Sequence, residues 1–106
     1  MVRKILTDAG FIEGETFKEV RFITPPKSTY CIYLDSFTRR GADALNLIKD
    51  HSYTIEVYSY YSDPEAESKI EAVFDKLGIA YEKDERTWLQ TEQLYQVVYR
   101  FDHVEK

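Results

Sequence analysis

Residues 51–79, HSYTIEVYSYYSDPEAESKIEAVFDKLGI, begin with the alternating pattern of a β-strand and continue as an amphipathic helix. One face of the strand is apolar and is formed by Tyr53, Ile55 and Val57. The other face carries Thr54, Glu56, Tyr58 and Tyr60. An alternation with period two is typical of a strand that buries one face. We therefore predict a strand over 51–61 with its apolar face on a core.

The following residues change to a helical period. Apolar residues recur at helical spacing and form one stripe: Ala66, Ile70, Val73, Phe74 and Leu77. Charged residues between them are expected to face water: Glu65, Glu67, Lys69, Glu71, Asp75 and Lys76. Pro64 suits the first helical turn and restricts Asp63 to the N-cap position. Gly78 can adopt the left-handed conformation that ends a helix. These signals predict a helix over 64–77.

The composition is that of one globular domain over residues 1–106, with 43% apolar residues. A chain of this length buries enough surface to form a core without a metal or a disulfide. Its nine tyrosines are an excess that suits sheets and protein interfaces, because tyrosine covers apolar surface with a polar tip. The high β propensity of tyrosine is an alternative explanation.

The net charge of −5 disfavours nucleic-acid binding, which depends on neutralising phosphates. Cys31 is the single cysteine, so we expect a reducing compartment and no internal disulfide. No apolar run approaches the ~18 residues of a membrane-spanning helix. The apolar part of MVRKILTDAGF is too short for a signal peptide. We expect a cytoplasmic protein, or one assembled there, without membrane contact.

Upstream of residue 51 the pattern predicts a short helix over 1–9 and a strand over 29–35, TYCIYLD. Residues 13–24 allow either a short strand or a helical turn. Residues 36–50 predict an exposed loop, with apolar spacing that also allows one or two helical turns in its second half. Its length is typical of functional or disordered connections.

Downstream of the helix, residues 80–86 predict a highly charged edge strand. Residues 87–92 predict a turn anchored by Trp88. Residues 94–101, LYQVVYRF, predict a central strand, and the polar residues 102–106 a flexible tail.

Together these elements predict an α+β domain. Its four-stranded, mainly antiparallel sheet has the strand order first, second, fourth, third, with the N-terminal helix and the 64–77 helix on one face. The other face carries Tyr58 and Tyr60. We expect that face to be covered by the N-terminal segment or by another subunit.

The sequence predicts no catalytic, cofactor-binding or metal-binding residues. Nothing in the sequence places His51 or His103 near Cys31, which we expect to be a small buried hydrophobe. Metal-ligand spacings and glycine-rich phosphate loops are missing from the sequence. The acidic residues at 63–67 are those that a helix N-terminus favours.

Two surface features are candidates for a protein interface. One is the aromatic and basic stretch at Phe37, Arg39 and Arg40 in an otherwise acidic chain. Arginine and aromatic residues are enriched where interfaces carry their binding energy. A solvated loop is the alternative. The other feature is the face with Tyr58 and Tyr60, and Trp88 completes the candidate set.

Four stretches carry a resemblance to a known family. They contain Tyr30 and Tyr33 in the strand TYCIYLD, Ala42-Asp43 in the long connection, Tyr53, Glu56 and Tyr58 in the central strand, and Tyr95, Gln96, Tyr99 and Phe101 in the last strand. With the Asp-Pro start of the acidic helix, this order resembles the tail terminator, or tail completion, proteins of long-tailed bacteriophages and prophages. The resemblance covers about residues 28–102, and the aromatic patterns that carry it are not a catalytic signature.

The resemblance implies a non-enzymatic structural role in the virion. Members of that family form a homo-oligomeric ring, usually a hexamer, which ends the tail tube and joins it to the head connector. The partners it implies are therefore other copies of the chain, tail-tube proteins and head-connector proteins, with no sequence-specific nucleic acid. An acidic lumen would let DNA pass without binding it.

Two other classes remain open. The chain could be a different neck or adaptor protein of the same phages. It could also be a small acidic regulator or inhibitor of a host protein, for which no ring is needed.

Overall fold

Helix α2 (Pro64–Leu77) forms with the bounds that the sequence predicts. The carboxylate of Asp63 accepts a hydrogen bond from the backbone N–H of Ala66 at 3.2 Å and caps the first turn. Gly78 ends the helix in the left-handed conformation, with φ of 68°. The apolar stripe faces the core as predicted: Ala66, Ile70, Val73 and Phe74 are buried and Leu77 is half-buried.

The computed structural model describes residues 1–40 and 48–105. The other elements are α1 (Val2–Asp8), β1 (Phe17–Glu19), β2 (Tyr30–Arg40), β3 (Ile48–Ser59), β4 (Glu82–Lys83), β5 (Thr87–Leu89) and β6 (Leu94–Glu105). The two helices and the mixed sheet of these described ranges confirm the predicted α+β class. None of the described helices is long and apolar enough to cross a bilayer.

In the described residues the sheet has six strands, in the order β1-β2-β3-β6-β4, and β5 also pairs with β6. β1 is parallel to β2 and all other pairs are antiparallel. The four predicted strands correspond to β2, β3, β4 and β6 and keep the predicted order, but β1 and β5 add two strands, so the predicted four-stranded sheet is not matched in detail. β1 has only three residues, in a stretch whose apolar spacing also fits a helical turn. β5 forms where a turn was predicted, because residues 87–89 fold back to pair with β6.

The long strands extend further than their sequences indicate. Residues 36–40 belong to β2 and residues 48–50 to β3, so the prediction of an exposed loop over 36–50 is wrong at both ends. Residues 102–105 belong to β6 and are not a flexible tail. These polar stretches have no apolar period, and their strands form because three backbones pair with one another. The rest of the predicted loop, 41–47, and residue 106 lie outside the described residues.

Both helices cover the same face of the sheet. The core contains Val2, Ile5 and Leu6 of α1, the buried stripe of α2, and strand residues Cys31, Tyr33, Tyr53, Ile55, Val57, Val97, Tyr99 and Phe101. Phe74 lies at its centre and is fully buried. Its ring centroid is 4.6 Å from that of Tyr81 and 5.1 Å from that of Phe101.

One charged residue of α2 is placed differently from the prediction. Glu67 was expected to face water, but it is only 5% exposed. Its carboxylate accepts from Arg86 at 2.8 Å and lies 3.0 Å from Lys83 Nζ. The chain after α2 folds back and covers the carboxylate with two cations, which the helical pattern alone could not indicate. A buried charge is tolerated when it is paired in this way.

A second carboxylate, Glu71, joins this charged cluster. It accepts from Lys83 and from the hydroxyl of the fully buried Tyr99, both at 2.6 Å. Burial alone would raise the pKa of Glu71, but these hydrogen bonds outweigh it and lower the pKa below its ordinary value. The cluster fixes the 82–86 segment to α2 and to the sheet.

Beyond the core the three long strands continue as an arm, which we define as residues 35–40 of β2, 48–52 of β3 and 102–105 of β6. The core ends at Tyr53 and Phe101. The arm contributes to an elongated shape, with principal extents of 49 × 30 × 23 Å.

Candidate interface on the open face of the sheet

Strand register divides the sheet into two faces, because residues that are paired across strands share a face. Val57 pairs with Cys31 and Val97 on the face that both helices cover. Tyr58 pairs with Tyr30 and Gln96 on the opposite face. We call that opposite face the open face. Its members are Tyr30, Ile32, Leu34, Thr54, Glu56, Tyr58, Leu94, Gln96, Val98 and Arg100. Of these, Tyr30, Leu94 and Val98 are buried.

Aromatic rings occupy one end of the open face. The rings of Tyr30 and Tyr58 are stacked, with centroids 5.3 Å apart and planes 23° apart. Phe22 meets Tyr30 edge to face at 5.5 Å. Burial raises the pKa of the Tyr30 phenol, with a further contribution from Tyr60 nearby. Favourable ring geometries of this kind make a rigid aromatic platform.

A short hydrogen-bond chain lies at the centre of the open face. The Tyr58 hydroxyl donates to Glu56 Oε1 at 2.8 Å, and Gln96 Nε2 donates to the Tyr58 oxygen at 2.9 Å. Burial, together with the bond to Glu56, raises the pKa of Tyr58 to about 12. The phenol is therefore protonated at neutral pH, and it holds both neighbours in place. This arrangement offers an anchored aromatic surface and no activated nucleophile.

Exposed apolar side chains surround this platform. Leu34 is 39% exposed and Tyr60 is 46% exposed. The Tyr60 hydroxyl donates to the carbonyl oxygen of Pro26 at 3.2 Å, which ties the 20–29 segment to the end of the open face. Packed aromatic rings on the same face as exposed apolar residues are typical of a surface that binds another protein. The segment after β1 thus covers only the Tyr30 end.

The structure brings together two of the predicted interface residues. Tyr58 and Tyr60 both lie on the Tyr30 side of the open face. Trp88 lies elsewhere, since it pairs with Tyr95 at the edge of the sheet. Tyr95 in turn pairs with Ser59 on the helix-covered face. Trp88 therefore lies on the opposite face of the sheet from Tyr58.

The other three predicted residues are strand residues and not loop residues. In the backbone register Phe37 pairs with His51, Arg39 pairs with Lys49, and Arg40 pairs with Ile48. Their side chains lie outside the described part of the structure.

The open-face residues of β2 and the role of Gln96 were not predicted from the sequence. Ile32 and Leu34 alternate with Cys31 and Tyr33, so the period was visible in TYCIYLD. What was missing was the register. Only the pairing of Tyr30 with Tyr58 shows which half of the alternation joins the open face.

Of the residues considered for catalysis, His51 and His103 pair with each other across β3 and β6, and both lie apart from Cys31. Cys31 is fully buried, as predicted, and burial raises the pKa of its thiol well above the ordinary value. His51 pairs with Phe37, six positions further along β2, and its Nδ1 lies 2.9 Å from Asp35 Oδ1. Among the described residues, no group of three or more histidine, cysteine, aspartate or glutamate residues is arranged to hold a metal ion.

Comparison with known protein families finds no family model that matches this chain, and comparison with curated proteins finds no match either.

Proposed function

We propose that this protein is a non-enzymatic structural subunit of a long-tailed bacteriophage or prophage, a tail terminator or head–tail joining protein. In this proposal copies of the chain form a ring, expected to be a hexamer, at the end of the tail tube. The ring joins the tube to the head connector. Assembly takes place in the bacterial cytoplasm and the product is part of the virion.

The observation that carries the proposal is the open face. Its aromatic platform is fixed by internal hydrogen bonds, while Leu34 and Tyr60 beside it present apolar surface to solvent. A self-associating protein needs such a preorganised patch, because little entropy is then lost when a neighbour binds. The resemblance of the strand patterns to tail terminators supplies the identity of the assembly.

The acidic charge is compatible with a ring through which DNA passes. A net charge of −5 per chain repels phosphates, so the ring is expected not to retain DNA at physiological salt. DNA that stays bound to the purified assembly under those conditions would argue against this part of the proposal.

The experiment that tests the proposal adds the purified protein to tail tubes of the phage or prophage that encodes it. Electron microscopy of negatively stained tubes is expected to show a ring at one tube end. A Leu34→Asp variant places a charge on the open face and is expected to lose the ring. Folded wild-type protein that does not bind either tube end would overturn the proposal and favour the host-protein regulator.

A further inference from the structure

We propose that neighbouring copies join by strand pairing, the outer edge of β2 in one copy against the outer edge of β6 in the next. This inference rests on the proposed assembly of the chain and adds an edge contact to the contact at the open face. Two strand edges of the arm carry the argument, one on each side of the sheet.

The first edge is the outer side of β2. Within the described residues the only strand on this side is β1, which pairs with residues 31–33. The Cys31 N–H and the Tyr33 carbonyl point outward, since they bond to the β1 side of the sheet. Backbone direction alternates along a strand, so Asp35, Phe37 and Arg39 also direct their N–H and C=O groups outward.

The pairing of β1 with this edge of β2 ends at a strained residue. Val20 follows β1 and has φ of 72°, a left-handed conformation that is a clear outlier for a β-branched residue. Its N–H makes the last bond to β2, at the Tyr33 carbonyl, and the chain then turns away. An extended conformation here would let β1 continue along β2. The strain therefore keeps the edge beyond Tyr33 accessible, and strain of this kind is concentrated at functional sites.

The second edge is the outer side of β6. Of the described strands, β5 pairs with residues 94–96 and β4 with residues 99–100. The Val98 carbonyl accepts from Asp84 N–H and so points outward. By the same alternation Asp102 and Val104 direct their backbone groups outward beyond the last paired residue.

The two edges fit each other in direction and in level. β2 and β6 both run antiparallel to β3, so they point the same way, and copies in one orientation would pair them as parallel strands. Phe37 and His103 both pair with His51 and therefore lie at the same level of the arm. At that level the Phe37 N–H of one copy donates to the Asp102 carbonyl of the neighbour. The Val104 N–H of the neighbour donates to the Phe37 carbonyl of the first copy.

One pair of opposite charges in the sequence is compatible with the same register. With Phe37 opposite the neighbour's His103, Arg39 is opposite Glu105, and opposite charges across paired strands stabilise a sheet. Pairing of two β2 edges around a two-fold axis would leave both β6 edges unpaired. The β2–β6 contact uses both edges of every copy, and such a heterologous contact forms a ring when the rotation closes.

The first test compares two variants at one outward-facing position, Phe37→Pro and Phe37→Ala. Both lose the same side chain, and only proline removes the outward N–H. Proline is tolerated at an edge position whose donor the protomer does not use. Association is measured by sedimentation velocity, with circular dichroism to check folding. The proline variant is expected to associate at least ~10-fold more weakly than the alanine variant.

Equal association of the two folded variants would overturn the edge contact and leave the ring proposal standing. A wild-type protein that stops at a dimer would overturn the head-to-tail arrangement. A wild-type protein that stays monomeric both in solution and on tail tubes would overturn the edge contact and the proposed function together.

A second test decides the question if the proline variant does not fold. Arg39→Glu and Glu105→Arg each place like charges across the proposed contact and are expected to weaken association. The double variant restores the pair in reverse and is expected to recover most of the wild-type association. A double variant no better than the single variants would overturn the proposed register.

Discussion

Arg86 donates through Nε to Glu67 Oε2 at 2.8 Å, and its Nη2 lies 2.8 Å from the same oxygen. This ion pair fastens the chain after α2 to the start of that helix. The carboxylate is nearly inaccessible to water, whereas about a third of the Arg86 side chain remains exposed. The two partners are therefore unequal. Removing the cations leaves a buried charge, while removing the carboxylate leaves cations that can turn to solvent.

This inequality predicts the effect of substitutions in the charged cluster. The double variant Lys83→Met, Arg86→Met is expected to lower the free energy of unfolding by about 3–5 kcal/mol, because Glu67 is left buried and uncompensated. Glu67→Gln is expected to cost less, about 1–2 kcal/mol. Urea unfolding measures both. Lys69→Met is the control, since its pair with Glu65 is exposed and should contribute under about 1 kcal/mol. A larger loss for Glu67→Gln than for the double variant would contradict this account.

The Tyr99–Glu71 contact predicts how stability depends on pH. The pKa of Tyr99 is raised, first by burial and then by its hydrogen bond to Glu71. A raised pKa stabilises the folded state fully below the unfolded pKa of about 10, and this contribution is lost as pH rises above that value. Chemical unfolding at several alkaline pH values should therefore show that the free energy of unfolding falls steeply with pH for the wild type and less steeply for Tyr99→Phe. Tyr61→Phe, at an exposed site, should follow the wild type.

Glu71 contributes to the loss of folding stability at acidic pH. Because its folded pKa is lowered, its contribution is present above the unfolded pKa of about 4.3 and is lost as pH falls through the folded pKa. Glu71→Gln is expected to be less stable than the wild type at neutral pH and to lose less stability on acidification. If this variant lost as much stability on acidification as the wild type, the contribution assigned to Glu71 would be contradicted.

Phe74 predicts the contribution of the helix to the core. Its ring is fully buried among Tyr81, Tyr99 and Phe101, so Phe74→Ala is expected to cost about 3–5 kcal/mol in unfolding free energy. Leu77→Ala, at the half-buried end of the stripe, should cost less. A loss below about 1 kcal/mol for Phe74→Ala would mean that the stripe does not pack on the sheet.

A substitution at Leu34 is expected to weaken assembly with little effect on folding. Leu34→Asp is expected to change the unfolding free energy by less than about 1 kcal/mol, because the side chain reaches solvent, with 39% of its surface exposed. Association should fall at least ~10-fold, since an unpaired carboxylate would be buried between copies. Ile12→Asp makes the same change at another exposed site and should associate like the wild type. Equal association of the two variants would remove Leu34 from the interface.

The sequence predicted best where local signals agree. The bounds of α2 follow from Asp63-Pro64 at one end and Gly78 at the other, and the structure confirms both. The alternation of Tyr53, Ile55 and Val57 correctly assigned the core face of β3. These features depend on neighbouring residues only, so a single chain shows them.

Features that depend on pairing could not be predicted in the same way. Residues 36–40 and 102–105 are polar and form strands through long-range backbone bonds, which leave no local pattern. The face that Trp88 joins depends on its pairing with Tyr95. The helical pattern predicts that Glu67 faces water, because its ion pairs with Lys83 and Arg86 form only when the chain after α2 folds back. The candidate interface was therefore predicted only in part. Its residues Tyr58 and Tyr60 were predicted, and Ile32 and Leu34 of β2 were not.

The central claim is that copies of this chain cover the open face for one another. Multi-angle light scattering coupled to size exclusion measures it directly, with wild type and Leu34→Asp run over a wide range of concentration. We predict a closed oligomer, a hexamer, for the wild type and a shift toward monomer for Leu34→Asp. A wild-type monomer at every concentration, with no ring on tail tubes, would contradict the account.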